Sequence, residues 1–220
     1  MKLHLIWDLD GTLVDSEHEI ISTLQKALGV VGISLEDAVS PLRIGPPLPD
    51  MLRNSFPEKI LDDEKRKEVV QVFRKIYNVS DFEDTLPFKG VEELLLDDGF
   101  VHHIITNKPR VATHRIIEKK GWSSRIVDVL TPDTLMETIG RAMKKVEMFR
   151  FFMENHPDAN VVAIGDMATD AQCAKAIGIP AIGVLWGAGT REELIRAECD
   201  AIAGTTGELK TILGNYIINE

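Results

Sequence analysis

Apolar residues along this chain fall into short continuous runs separated by segments of helical period. Leu3–Trp7, Val101–Thr106, Arg125–Leu130, Val161–Ile164 and Ala181–Trp186 are strand-like, and Ala201–Ala203 is a short sixth. Between them lie amphipathic stretches at Val91–Asp98, Arg110–Lys120, Val146–Asn155, Asp170–Ile177, Arg191–Ala197 and Gly207–Leu213. Continuous apolar strands alternating with helices predict an α/β fold, a parallel sheet covered on both faces.

The stretch from Glu17 to Asp84 breaks that alternation. It carries helical patterns at Glu17–Val30, Leu48–Ser55 and Asp62–Tyr77, is punctuated by Pro41, Pro46, Pro47 and Pro49, and contains no convincing strand. A helical block between the first two strands of a parallel sheet reads as an inserted subdomain. The expected division is an α/β core of residues 1–16 and 85–220 and a helical insert of residues 17–84. No internal repeat or low-complexity tract is present.

Composition narrows the function classes. An apolar fraction of 44% in 220 residues supports a full core and excludes disorder as the dominant state. With 25 basic and 35 acidic residues the net charge is −10, a poor match for nucleic acid or an anionic membrane. Cys173 and Cys199 form neither a disulfide framework nor a zinc spacing. No run reaches the ~20 apolar residues of a membrane span, and Asp8 and Asp10 interrupt the position a signal peptide would need. The expected setting is the cytoplasm.

The chemistry concentrates at strand ends. The first strand runs into Asp8-Leu9-Asp10-Gly11-Thr12. Residues two apart in an extended chain point the same way, so Asp8 and Asp10 can face one site at the carboxyl end, where open α/β sheets bind ligands. Gly11 permits the turn that follows. A calcium loop would place Asp8, Asp10 and Glu19 at positions 1, 3 and 12. It also requires glycine where Leu13 stands and a helix where a strand is read.

Gly165-Asp166-Met167-Ala168-Thr169-Asp170 is a second acidic strand end that opens a helix. Two such sites converging on one hard cation suit Mg²⁺, and Asp170 also suits a helix N-cap. Thr106-Asn107-Lys108-Pro109 offers a hydroxyl and free N–H groups for a phosphate. A lysine of Arg141-Ala142-Met143-Lys144-Lys145 would supply a positive charge.

These residues carry a resemblance. Asp8-Leu9-Asp10-Gly11-Thr12-Leu13-Val14-Asp15-Ser16 resembles the first motif of haloacid dehalogenase (HAD) superfamily phosphatases. Thr106 matches the second motif, the Lys144/Lys145 region the third, and Asp166 with Asp170 the fourth. The order and rough spacing match over nearly the whole chain, and Trp7 stands where phenylalanine is usual. Ile44-Gly45-Pro46-Pro47-Leu48, Thr106–Pro109, and Trp186-Gly187 followed by Thr190–Leu194 look like the phosphoglycolate phosphatase-type branch, although pyrophosphatase and nucleotidase relatives share them.

The resemblance implies a Rossmann-like core, a mobile helical cap, and a Mg²⁺-dependent phosphatase acting on a small phosphorylated metabolite, as monomer or homodimer. It implies Asp8 as nucleophile and Asp10 as acid and base. Mg²⁺ would be held by Asp8, Asp166 and the carbonyl of Asp10. Thr106, Asn107 and a lysine would hold phosphoryl oxygens, and Asp170 would orient the lysine or a water.

The third motif departs from the branch, because no proline follows its lysine. Lys145-Val146-Glu147-Met148-Phe149 fits a helix start, and Lys144 can equally point inward, so both stay open. A dehalogenase would not need Asp10. A phosphomutase would keep all four motifs, and a non-catalytic phospholigand-binding relative is a further alternative. His18, just past the entry to the insert, is a candidate to face the site. His102 and His103, early in their strand, read as structural, and Asp62–Glu68 reads as a solvated helix face.

Overall fold

The six apolar runs pair side by side into one parallel sheet. A computed structural model describes residues 2–217. In chain order the elements are β1 (Leu3–Trp7), β2 (Val14–Asp15), α1 (Glu17–Val30), α2 (Leu48–Ser55), α3 (Asp63–Tyr77), β3 (Leu86–Pro87), α4 (Val91–Leu95), β4 (Phe100–Ile105) and α5 (Arg110–Lys119). They continue with β5 (Ile126–Leu130), α6 (Met136–Ile139), α7 (Lys145–Asn155), β6 (Asn160–Gly165), α8 (Ala168–Lys175), β7 (Ala181–Val184), α9 (Arg191–Arg196), β8 (Ala201–Ala203) and α10 (Thr206–Leu213).

The strand order is β5-β4-β1-β6-β7-β8. The chain winds outward from β1 in one direction, then restarts at β6 and winds the other way. The carboxyl ends of β1 and β6 therefore flank the topological switch point, where side chains from two neighbouring strand ends meet in a crevice.

Alternation along the strands separates two apolar layers. Leu3, Leu5 and Trp7 of β1 join one buried cluster with Ile104, Val162, Ile164, Ile116 of α5 and Leu209 of α10. Ile6 faces the other layer with Ile105, Val161, Ala163, Met148, Phe149 and Phe152 of α7, and Ala171 and Ala174 of α8. Trp7 is fully buried, and its Nε1–H donates to His102 Nδ1 at 3.1 Å. A buried indole needs such an acceptor. Burial pushes His102 down to about 4, which keeps the ring neutral and able to accept.

The helical segment leaves and rejoins the sheet at one place. β2 pairs antiparallel with β3, a two-residue ribbon too short to show a period in sequence. Buried Glu19, at the start of α1, accepts from Ser80 Oγ and from Thr85 Oγ1 (2.9 Å), tying outgoing and returning strands together. Asp62 caps α3 by accepting from Lys65 N at 2.9 Å.

The solvated reading of Asp62–Glu68 needs a correction at Arg66. That side chain is buried, donates to Leu61 O at 2.7 Å and pairs with Glu58 and Asp63. Several elements end earlier than the apolar pattern suggests. α4 stops at Leu95, and Asp97 then accepts from Gly99 N at 3.0 Å to form the turn into β4.

Leu5 is fully buried in the central strand, whereas Val127 on edge strand β5 is largely exposed. Leu5→Ala should lower unfolding stability by ~2–5 kcal/mol through lost contacts and a residual cavity. Val127→Ala should stay within about 0.5 kcal/mol of wild type. Urea denaturation of both variants measures the difference.

Candidate active site

Asp8 follows the last residue of β1, and its N–H donates to Ile164 O at 2.9 Å, continuing the β1–β6 ladder past the strand's end. The turn beyond it is tight. Leu13 N and Val14 N both donate to Leu9 O, and Gly11 N donates to Val14 O. Gly11 adopts φ +79°, and a Cβ there would lie 2.3 Å from Asp166 Oδ2. Glycine is required on both counts. This turn aims Asp8 and Asp10 toward the same crevice but into different surroundings.

Asp8 belongs to a buried charge cluster. One carboxylate oxygen each of Asp8, Asp166 and Asp170 lies within 4.8 Å of the others. Lys145 Nζ sits 2.7 Å from Asp8 Oδ1 and 2.5 Å from Asp170 Oδ1. Asp166 is oriented by Thr12 Oγ1 (3.2 Å) and by Ala188 N (2.8 Å), while its own N–H donates back to Thr12 Oγ1 (3.0 Å). Asp170, in the first turn of α8, accepts from Met167 N at 3.1 Å. Gly165 makes room for it, since a Cβ there would overlap the Asp170 carboxylate at 2.2 Å.

Of the two lysines left open by the sequence, the structure brings Lys145 to the carboxylates and leaves Lys144 outside. Lys144 is the extended residue just before α7, and its side chain is exposed. Its backbone N–H donates to Glu147 Oε2 at 2.7 Å. Lys145 is the first helical residue and is buried. A step of one residue into a helix turns the side chain by roughly 100°, enough to separate a solvated lysine from a buried one. As a phosphate-binding residue, Lys144 is therefore set aside.

Asp10 lies across the crevice. It accepts from Lys108 Nζ at 2.6 Å and from Ser16 Oγ at 2.5 Å. Its side chain is not one of the clustered acids. Thr106 is buried at the end of β4, and its hydroxyl accepts from Lys108 N at 3.2 Å. Asn107 Nδ2 donates to Gly45 O of the helical segment at 3.2 Å.

Sequence reasoning missed three participants. Lys108 stands in the quoted Thr106–Pro109 stretch without a role, yet it is buried against Asp10 and lies 4.7 Å from the Tyr77 ring centroid. Tyr77 ends α3, and burial raises its hydroxyl to about 12. Arg43, in the loop before α2, makes a forked ion pair with Glu193 of α9. The available signal was a cation two residues past a strand-end threonine. Tyr77 and Arg43 carried none. His18 does not face the site; it is exposed and lies 3.3 Å from Asp84.

Three carboxylates against one ammonium leave two formal negative charges in a buried space. Asp8 Oδ1 and Asp170 Oδ1 are buried without a properly directed hydrogen bond, although both touch Lys145. An all-oxygen, doubly negative set fits a hard divalent cation such as Mg²⁺.

Without such an ion, burial is the main influence raising Asp8, to about 7; Lys145 opposes it, and the Asp170 and Asp166 charges add to it. Burial, then Asp170, raises Asp166 to about 6. Burial alone would lower Lys145, but Asp170 and Asp8 outweigh it and hold the ammonium above its usual range. For both acids the folded value lies above the unfolded 3.8, so the folded state holds extra protons between the two. Their stabilising contribution is full below pH ~4 and is lost as pH rises through 6 to 7. In chelator, melting temperature should therefore fall over that window, and Asp166→Asn should show a shallower fall. Thermal melts from pH 4 to 8 test this.

Comparison with known proteins finds similarity over most of the chain. The model of the family "Haloacid dehalogenase-like hydrolase" matches residues 5–184. A phosphoglycolate phosphatase of Xylella fastidiosa is 31% identical over 196 residues, covering 86% of this chain and 82% of the relative. A 5′-nucleotidase of Pseudomonas aeruginosa is 27% identical, covering 87% and 86%. The crystal structure of a predicted phosphatase from Clostridium acetobutylicum superposes with a TM-score of 0.82 at 27% identity, covering 97% of this chain and 99% of that one. A match over most of the chain, with clustered acids and a buried lysine at the switch point of its sheet, makes this protein a member of the haloacid dehalogenase-like hydrolases.

Proposed function

We propose that this protein is a Mg²⁺-dependent phosphatase that hydrolyses a small phosphomonoester through an aspartyl-phosphate intermediate. One observation carries the reading: Asp8 is a buried carboxylate in contact with Lys145, and Asp10 stands two residues on, at the start of a sharp turn and held outside the acidic cluster. That pairing supplies a nucleophile beside a buried ammonium and a separate acid and base across the crevice. The phosphatase relatives support the same reaction class.

A carboxylate oxygen of Asp8 attacks phosphorus and forms the acyl phosphate as the bond to the leaving oxygen breaks. Asp10 gives that oxygen a proton, so the product departs as an alcohol. Asp10 then takes a proton from water, which attacks phosphorus and breaks the bond to Asp8, releasing phosphate and restoring both carboxyls. Lys145, Thr106 and Asn107 hold phosphoryl oxygens, and Asp170 keeps Lys145 directed at Asp8. Asp8, Asp166 and the carbonyl of Asp10 would hold Mg²⁺, which offsets negative charge between the nucleophile and the phosphate.

Residues 17–84 act in this reading as a cap over the 1–16 and 85–220 core. Contacts of Gly45 with Asn107, Arg43 with Glu193 and Tyr77 with Lys108 support a closed arrangement that keeps bulk water from Asp10. The absence of any helix long and apolar enough to cross a membrane, among the described residues, fits a cytoplasmic setting.

The cleft bears on the leaving group. It is lined by Asp10 and Lys108 and by Ile20, Ile44, Met51 and Phe73, with Arg74 beside them. Glycolate alone would leave those apolar walls unfilled. A phosphomonoester with an apolar body matches their character better, which gives weight to a nucleotidase-like specificity beside the phosphoglycolate phosphatase-like one.

Asp8→Asn should reduce turnover by at least ~10²-fold with the fold intact, since no carboxylate remains to attack. Lys145→Ala should cost at least ~10²-fold, the scale of losing a preorganised charge partner, and Lys144→Ala far less. Steady-state rates with a general phosphoester measure all three, and equal losses from both lysine variants would contradict the reading. Chelation should abolish turnover and Mg²⁺ restore it. A panel spanning phosphoglycolate, inorganic pyrophosphate and nucleoside monophosphates should give the highest kcat/KM where the leaving group fills the apolar cleft.

A further inference from the structure

A second group of metal-ligating side chains lies on the α7 face of the sheet, set back from the carboxyl ends of the strands. His4 is four residues upstream of Asp8, ~13 Å along β1. His103 lies on β4 in register with Ile6, and Asp128 on β5 is in register with His103. By strand alternation these three project into the layer that contains α7. His156 is the residue that ends α7. Neither the sequence reading nor the family resemblance gives these four residues a shared role.

The geometry is that of a ligand set with an outer partner. His103 Nδ1 is 2.8 Å from Asp128 Oδ2, and His156 Nε2 is 3.0 Å from the same oxygen. One donor atom from each of the three residues lies within 4.8 Å of the other two. His103 is fully buried, and Nδ1 has no hydrogen-bond partner despite its closeness to Asp128. The carboxylate oxygen thus lies off the axis along which that nitrogen would donate. This suits a cation on the nitrogen's axis with the carboxylate as a neighbouring ligand.

The far side of His103 is also arranged for ligation. His103 Nε2 is 3.0 Å from His4 Nδ1, with the ring planes 7° apart and the centroids 5.1 Å apart. At that spacing the rings meet edge to edge, in a nearly linear N–H···N bond. With the proton on His103 Nε2, the lone pair of Nδ1 is left free beside Asp128, and His4 acts as the outer partner that fixes ring and tautomer. Phe152 packs on both rings, edge-on to His103 at 4.7 Å and stacked on His156 at 4.4 Å between centroids.

We propose that His103, His156 and Asp128 form a second metal site, for a borderline transition-metal cation such as Zn²⁺, with His4 as its outer-shell support. Two imidazoles and a carboxylate suit Zn²⁺ far better than Mg²⁺, whose preference is an all-oxygen shell. Bonds of ~2.0–2.2 Å in a tetrahedral shell set ligand atoms roughly 3.3 Å apart, so the two nitrogen-to-carboxylate spacings need to open by only a few tenths of an ångström. Asp128 and His156 are partly exposed, which leaves an entry path and room for a water as fourth ligand. The ion would pin the end of α7 to β4 and β5. The opposite end of α7 carries Lys145.

The test reads metal content rather than activity and so stands apart from the phosphatase reading. Purified protein is equilibrated with stoichiometric Zn²⁺ in excess Mg²⁺, desalted, and its metal measured by mass spectrometry and Co²⁺-substituted absorption. Wild type and Asp166→Asn should each retain about one zinc per chain, with a visible Co²⁺ spectrum of a low-coordinate site. His156→Gln and Asp128→Asn should bind at least ~10²-fold more weakly, and Zn²⁺ should raise the melting temperature of wild type but not of these two. His156→Gln changes a partly exposed helix-end residue and should leave the fold intact by circular dichroism. Three outcomes overturn the proposal: no zinc retained by wild type, equal retention by His156→Gln, or loss of zinc in Asp166→Asn.

Discussion

The Lys145 ammonium, held between Asp8 and Asp170 in a buried pocket, is the interaction on which the arrangement of the site depends. Removing an ion from water costs several kcal/mol even after relaxation, so neither carboxylate could be buried as an anion beside a third without a compensating charge. One lysine is not enough for three acids. The remaining negative charge is a stability cost carried at one point of the sheet, and it is the same property that suits the point to a divalent cation. Such a concentration of strain at the site, with an ordinary apolar core around it, is where a fold is expected to depart from its own packing rules.

Other features serve to keep that charged point in position. β1 and β6 are adjacent, so the Asp8 backbone is tied to the strand that leads into Asp166 and on to Asp170 at the start of α8. Thr12 and Ala188 fix the Asp166 carboxylate from two separate turns. Apolar residues of α7 anchor the helix on the sheet, so Lys145 is delivered from its first turn by a rigid body. Small residues are required where backbones crowd the carboxylates, as Gly11 illustrates.

The helical segment contributes a different kind of constraint. It contacts the core through polar and charged groups at the strand ends: Arg43 with Glu193, Asn107 with Gly45, and Lys108 beneath Tyr77. Polar contacts of this kind are weaker than the apolar layers within each part, which suits the cap role proposed for the segment. Glu19 sits where the two connections cross, and its bonds to Ser80 and Thr85 hold the crossing together whatever the segment does.

Local pattern alone determined the six strands of the parallel sheet, the position of Asp8 and Asp10 at the end of the first, and the acidic turn at Asp166 and Asp170. The physical reason is that strand period and strand-end turns are properties of a few consecutive residues. The choice between Lys144 and Lys145 was not local, because both fit a helix start and only packing of α7 on the sheet decides which one turns inward. Lys108 was visible but had no assignable partner until the sheet brought it to Asp10. Tyr77 and Arg43 reach the site from a segment whose placement no period reveals. His102 and His103 read alike in sequence, yet alternation sends them to opposite faces, one to Trp7 and the other to Asp128. Contacts between residues about a hundred positions apart depend on strand order and helix placement, and these are set by burial of the whole apolar surface rather than by any single stretch of chain.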